Sequence, residues 1–293
     1  MKKPQQAAPA RQRSLGVLLI LGAALSFSVM NLFVRLAGDL PTFEKAFFRN
    51  LISLFVACFL ALRQGGGLRW QKGSLPALLA RAGFGTLGLL CNFYAVDHMN
   101  ISDASLLNKL SPFFAIIFSY FVLQETASGV EWLSVLAAFV GAAFVVKPTA
   151  GILTSLPALV GLVGGAAAGM AYTFVRRLGR QGERGVIVVL FFSAFSTLVT
   201  LPLMLAGWQP MTAGQLGWLL CAGAAASAGQ LCITGAYTCA PAREIGVFDY
   251  TQVLFSAVLG FFFLNQLPDL YSMIGYCIII GVAFAKWRYN LKH

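Results

Sequence analysis

Charge is what this 293-residue chain has least of. Only 11% of it is Asp, Glu, Lys or Arg, where a water-facing domain carries about 25%. Since 58% of the chain is hydrophobic, one core cannot hide the apolar surface, and much of it must face lipid. Two histidines leave little material for a metal site; His98 falls in a loop and His293 is terminal. The six cysteines, Cys58, Cys91, Cys221, Cys232, Cys239 and Cys277, lie in or beside apolar runs without CxxC spacing. They read as small residues packing between helices. The sequence carries no glycine-rich phosphate loop and no Ser/His/Asp set, so neither ATP-driven chemistry nor a cofactor is called for. The formal charge is +11, but the basic residues sit in short clusters between apolar runs. That pattern reports membrane orientation and argues against nucleic acid as a partner.

What the chain does have is long apolar runs. Ten are legible, at about 15–36, 43–62, 75–96, 103–123, 132–147, 157–177, 185–206, 214–239, 243–264 and 270–288. Each approaches the length that spans a bilayer as a helix, and lipid cannot satisfy a bare backbone, so these segments must be helical. The basic stretch 1–13 and the run after it lack a small-residue cleavage site, so that run reads as a retained first span rather than a signal peptide. Short connections such as Gly38-Asp39-Leu40-Pro41 and Leu267-Pro268-Asp269 carry turn chemistry. With both termini cytoplasmic, sixteen basic residues fall on that side and three (Arg35, Lys45 and Lys147) on the other. The sixteen include Lys2, Lys3, Arg13, Arg81, Arg176, Arg243 and Lys292. This is a positive-inside pattern for a plasma or inner membrane. The five tryptophans fall near span ends as an interfacial belt. Gly161, Gly164, Gly165 and Gly169 form a small-residue face for close helix packing, and Pro112 and Pro202 are expected to kink their helices.

The chain also repeats itself. At an offset of 141 residues, Phe33-Val34-Arg35 matches Phe174-Val175-Arg176, and Gly88, Cys91, Phe114, Phe121 and Leu123 match Gly229, Cys232, Phe255, Phe262 and Leu264. Five spans per repeat is an odd number, so the second repeat enters from the opposite face. Inverted repeats of this kind build many secondary carriers, with the solute site near the midplane. The expected organisation is a tail at 1–14, a first five-helix repeat at 15–147, a linker at 148–156, a second repeat at 157–288 and a tail at 289–293.

Asn92-Phe93-Tyr94-Ala95-Val96, Ile101-Ser102-Asp103-Ala104-Ser105, Leu110-Ser111-Pro112-Phe113-Phe114 and Leu123-Gln124-Glu125 together resemble the EamA-type drug/metabolite transporter superfamily. The second half echoes this in Ala236-Tyr237-Thr238-Cys239-Ala240-Pro241-Ala242 and Leu264-Asn265-Gln266, with Val253 where the pattern has proline and Gln266 where it has glutamate. The resemblance covers nearly the whole chain after residue 14 and implies ten helices in two inverted repeats, working by alternating access. Leu107-Asn108-Lys109-Leu110 is also similar to an asparagine-lysine motif of nucleotide-sugar carriers in that superfamily. There the motif lies in the second repeat.

A charge at membrane depth costs at least a few kcal/mol unless it is paired or faces a wet cavity. Arg49 in the second span, Lys109 in the fourth and Asp249 in the ninth are therefore site candidates. The offset pairs Asn108 with Asp249 and Lys109 with Tyr250. The expected solute site comprises Arg49, Lys109, Asp249 and Tyr250, with Asn108, Asn31, Asn92 and Gln252 as hydrogen-bonding neighbours. The competing reading is a Lys109–Asp249 ion pair that only orders the bundle, with Glu44 and Lys45 snorkelling to the interface. Two deep cations against one carboxylate favour an anionic or zwitterionic solute, such as an organic acid or amino acid, with protons as a coupling ion. The alternatives are a lipid-headgroup flippase and a membrane-embedded enzyme built on Asp97, His98 and Asp103.

Overall fold

The computed structural model describes residues 10–64, 67–98, 101–146, 155–265 and 267–292. Lys2, Lys3, Lys147, Gln266, His293 and most of the linker lie outside the described residues, as do the side chains of Asp97, Asp103 and Lys292. The helices are α1 (Ala10–Leu36), α2 (Thr42–Arg63), α3 (Leu75–His98), α4 (Ile101–Asn108), α5 (Ser111–Leu123) and α6 (Gly129–Val146). They continue as α7 (Leu156–Arg180), α8 (Gly185–Ala206), α9 (Ala213–Cys239), α10 (Ala242–Ile245), a 3-10 turn (Gly246–Tyr250), α11 (Thr251–Leu264) and α12 (Leu270–Lys292). No strand occurs among the described residues. Among the described residues, ten stretches are long and apolar enough to cross a bilayer. Their bounds fall within a few residues of those read from hydropathy, because bilayer thickness fixes them from outside the fold.

Two spans are not continuous. The fourth consists of the end of α4 and α5, and the ninth of α10, the 3-10 turn and α11. In the fourth, Pro112 offers no N–H to the carbonyl of residue 108 and disfavours the helix before it, so the break falls at Lys109-Leu110. In the ninth the equivalent residue is Val253, and the break forms without proline. Gly246 packs there against Pro112, where a Cβ would come within 3.2 Å of the proline Cβ. The two breaks are thus packed against each other.

The repeat survives folding in detail. Gln124 and Asn265, 141 residues apart, end α5 and α11 in the left-handed conformation at φ 57° and φ 52°. Their N–H groups return to the carbonyls of Ser119 and Gly260, which share the same offset. The packing repeats as well. α1 lies on α9 as α7 lies on α3, α11 on α1 as α5 on α7, and α9 on α2 as α3 on α8. The α2–α8 and α6–α12 pairs map onto themselves. The glycines of α7 meet backbone closely, as expected of a small-residue face: a Cβ on Gly165 would lie 2.6 Å from the Leu107 carbonyl oxygen and one on Gly169 2.8 Å from the Ala115 nitrogen. Pro202 sits inside α8, and all five tryptophans are partly exposed near span ends.

Candidate functional site

The Lys109 ammonium lies at the break of the fourth span and donates to Asp249 Oδ2 at 2.9 Å and to Gln252 Oε1 at 2.7 Å. A longer contact reaches the Asp249 carbonyl at 3.4 Å. In return the Tyr250 hydroxyl donates to the Lys109 carbonyl at 2.7 Å. Four expected residues (Lys109, Asp249, Tyr250 and Gln252) therefore form one cluster, with two of its members at repeat-equivalent positions. The Lys109 and Asp249 side chains keep 15% and 9% of their surface, so the pair is mostly desolvated but not sealed.

Ser28 of α1 completes the cluster and had no distinguishing mark in the sequence. Its hydroxyl shares its one proton between the Gln252 carbonyl at 3.0 Å and the Ala24 carbonyl at 2.9 Å, and it accepts from Ser256 at 3.1 Å. Arg49 projects from α2, where its guanidinium contacts the Met30 thioether and the Asn50 side-chain oxygen, both at 3.3 Å. The three other expected amides are not drawn in. Asn31 is exposed, Asn92 and Asn108 are half-buried, and none makes a side-chain hydrogen bond to Lys109 or Asp249.

Two placements correct the sequence reading. Arg81 is not a loop cation: it lies nearly two turns inside α3 at 3% exposure. Its guanidinium sits over the Phe192 ring, 4.3 Å from the centroid, and donates to Gln230 Oε1 at 3.3 Å. Glu44 does not snorkel to the interface. It is fully buried, and neither carboxylate oxygen has a hydrogen-bond partner. His98, the described member of the Asp97–His98–Asp103 group, stacks on Tyr94 at 4.1 Å between ring centroids and bonds that residue's carbonyl at 2.9 Å.

Tyr172 of α7 interacts electrostatically with Arg49, Arg81 and Asp249. Its ring stacks on Tyr237 at 4.7 Å. Beyond Tyr237, toward the face that carries Arg13 and the end of α12, the packing is dense: Ile245, Phe248, Leu178 and Ile187 are buried. Ion pairs bind the helix ends at that face. Arg13 meets Glu244 at 3.0 Å, Arg176 meets Glu125 at 3.2 Å, and Lys286 meets Glu131 at 3.5 Å. At the far ends of α8 and α11, Leu205, Phe262 and Phe263 are exposed.

The EamA-like transporter family matches residues 14–147 and 155–285, one segment for each half of the chain. A pseudopaline exporter of Pseudomonas aeruginosa strain UCBPP-PA14 is 35% identical over 93% of this chain and 96% of its own length. A riboflavin transporter of Vibrio cholerae is 28% identical over 93% of each chain. An S-adenosylmethionine uptake transporter of Rickettsia bellii is 24% identical over 91% of each. A solved crystal structure shares the fold at a TM-score of 0.77 and 18% identity, covering 92% of this chain and 95% of that one. With ten candidate membrane spans among the described residues, both halves matched by the family and named transporters among its relatives, this chain is a multi-pass membrane protein that belongs to the EamA-like transporter family.

Proposed function

We propose that the protein is a secondary active transporter of a small anionic or zwitterionic metabolite, working by alternating access between two inverted five-helix repeats. The observation that carries this reading is the Lys109–Asp249 pair at two helix breaks related by the repeat. Broken helices at the midplane leave backbone groups and charges free to meet a solute, which is how many carriers build their sites. Lys109, Asp249, Gln252 and Tyr250 hold the solute's polar groups, and Arg49 supplies a further positive charge. The Lys109–Asp249 bond is the contact that the solute displaces.

The repeats occupy 15–147 and 157–288, joined by the linker 148–156 and flanked by the tails 1–14 and 289–293. An odd number of spans per repeat makes them antiparallel across the membrane. Both termini lie in the cytoplasm of a plasma or inner membrane. Removing Arg81 from the loop residues still leaves fifteen basic residues against three. The ion pairs of Arg13, Arg176 and Lys286 then close the cytoplasmic face. Asp249 couples the cycle to protons by exchanging Lys109 for a proton when the solute engages the ammonium.

The test is transport by the purified full-length chain in liposomes, incubated with a defined pool of carboxylates and amino acids and read by mass spectrometry of the lumen. At least one acid should accumulate above protein-free liposomes, and Lys109→Ala or Arg49→Ala should abolish that accumulation. An unchanged lumen with wild type, or accumulation by both variants equal to that of wild type, overturns the reading.

A further inference from the structure

Inside the membrane, Lys109 is paired with Asp249, Glu44 is buried in the first turn of α2 without a hydrogen-bond partner, and two guanidinium groups are left without a carboxylate contact. Neither Arg49 nor Arg81 meets a carboxylate among the described residues. The two are close enough to act on each other electrostatically, with Tyr172 within reach of both. Like charges without a counter-ion in a low-dielectric site are costly, and a merely structural arginine would be expected to have a carboxylate beside it. Arg81 shows the same want in its own contacts. It is 97% buried, it is held by one neutral oxygen and one aromatic face, and its Nε is buried with no acceptor.

The surroundings of Arg81 are built to keep its head in place. Gly85, one turn on in α3, leaves the volume that the guanidinium occupies: a Cβ there would stand 2.1 Å from Arg81 Nη1 and 2.9 Å from Phe192 Cε2. Gln230 offers an oxygen acceptor, and Phe192 fixes the plane by a cation–π contact. Planar guanidinium groups pair with carboxylates through two parallel hydrogen bonds, which a point charge cannot do.

From this arrangement we propose that Arg81, with Arg49, forms a second anion subsite, and that the transported solute carries at least two carboxylates. The inference rests on the carrier reading above and narrows its substrate class. Neither guanidinium has a carboxylate partner from the protein, so a dianion supplies one carboxylate to each. A solute with a single carboxylate leaves one guanidinium bare. Arg81 therefore sets specificity for the second acidic group, and Gly85 positions it.

The experiment compares dicarboxylates (glutarate and adipate) with monocarboxylates of equal chain length (valerate and hexanoate) as thermal stabilisers of the purified full-length protein in detergent. Wild type should be stabilised more by each dicarboxylate than by its monocarboxylate partner. Arg81→Gln should lose that excess, with dicarboxylate affinity falling roughly 10- to 150-fold, the worth of one charged hydrogen bond. Gly85→Ala, which displaces the guanidinium without changing charge, should do the same, and Arg81→Lys should recover part of it. Circular dichroism and gel filtration establish that each variant is folded, and the Lys partly restores binding should Gln prove unstable. The inference is overturned if wild type shows no dicarboxylate excess, or if the excess persists in Arg81→Gln. The parent reading is judged separately. Carboxylate binding that is lost in Lys109→Gln and Arg49→Gln but indifferent to Arg81 leaves the carrier site standing and removes only the second subsite. Binding indifferent to all three removes both.

Discussion

The Tyr250 hydroxyl donates to the Lys109 carbonyl while the Lys109 ammonium reaches back to the carboxylate of Asp249, one residue before that tyrosine. Each break is held by a side chain from the other, at positions 141 residues apart. Tyr250→Phe removes one side of this clasp and no charge. We expect a loss of about 0.5–1.5 kcal/mol in stability, the net worth of one hydrogen bond, and a larger fall in transport rate than in solute affinity. Thermal denaturation and initial uptake rates over a solute range check both.

Breaking the ion pair from one side should cost more than removing it altogether. Lys109→Ala leaves Asp249 as a mostly buried charge without its partner, worth about 3–5 kcal/mol. The double variant Lys109→Met with Asp249→Leu should recover stability toward wild type and still fail to transport. A double variant that transports normally would reduce the pair to a packing element.

Asp249→Asn keeps shape and hydrogen-bonding capacity but fixes the charge. If Asp249 carries the coupling proton, this variant should exchange solute for solute across the liposome membrane yet ignore an imposed pH gradient. Uptake that follows the gradient as in wild type would rule out the role.

The glycine face of α7 makes a prediction about packing alone. A Cβ on Gly165 or Gly169 meets backbone atoms at 2.6 Å and 2.8 Å, so Ala at either position should destabilise by about 1–3 kcal/mol. A Cβ on Gly83 of α3 meets nothing within 4 Å, so Gly83→Ala should be neutral or stabilising, since glycine is a poor helix residue. Melting temperatures of the three variants in one detergent decide this.

Topology and closure can be read together by labelling a cysteine-free variant in intact cells with a membrane-impermeant maleimide. A single cysteine replacing exposed Gln64 should be protected, and one replacing exposed Gln209 should react. In inside-out vesicles a cysteine at Thr234, buried in this structure, should react faster once Glu125→Gln and Glu244→Gln loosen the ion pairs at that face. The reverse pattern at 64 and 209 would invert the orientation, and no change at 234 would deny those pairs a part in closure.

Much of this molecule was set by its sequence, because the bilayer acts on each segment independently of the fold. A run of about 20 apolar residues must become a helix across lipid whatever its neighbours are, so the ten spans were legible without tertiary structure. Depth along a helix is also a sequence property. It was enough to single out Lys109 and Asp249, and the 141-residue offset placed Lys109 opposite Tyr250. Direction around the helix and contact with other helices are not sequence properties. Asn31, Asn92 and Asn108 had suitable depth, but Ser28 is the α1 side chain that reaches Gln252. Arg81 lay so close to the start of its span that sequence assigned it to water. It became a buried cation because Gly85 gives it room and Phe192 and Gln230, from α8 and α9, receive it. The break in the ninth span likewise has no proline to announce it, and there Gly246 packs against Pro112 of the other repeat. Hydropathy is summed along one segment and can be read from it. A charge's partner is contributed by another helix, and only the assembled bundle decides it.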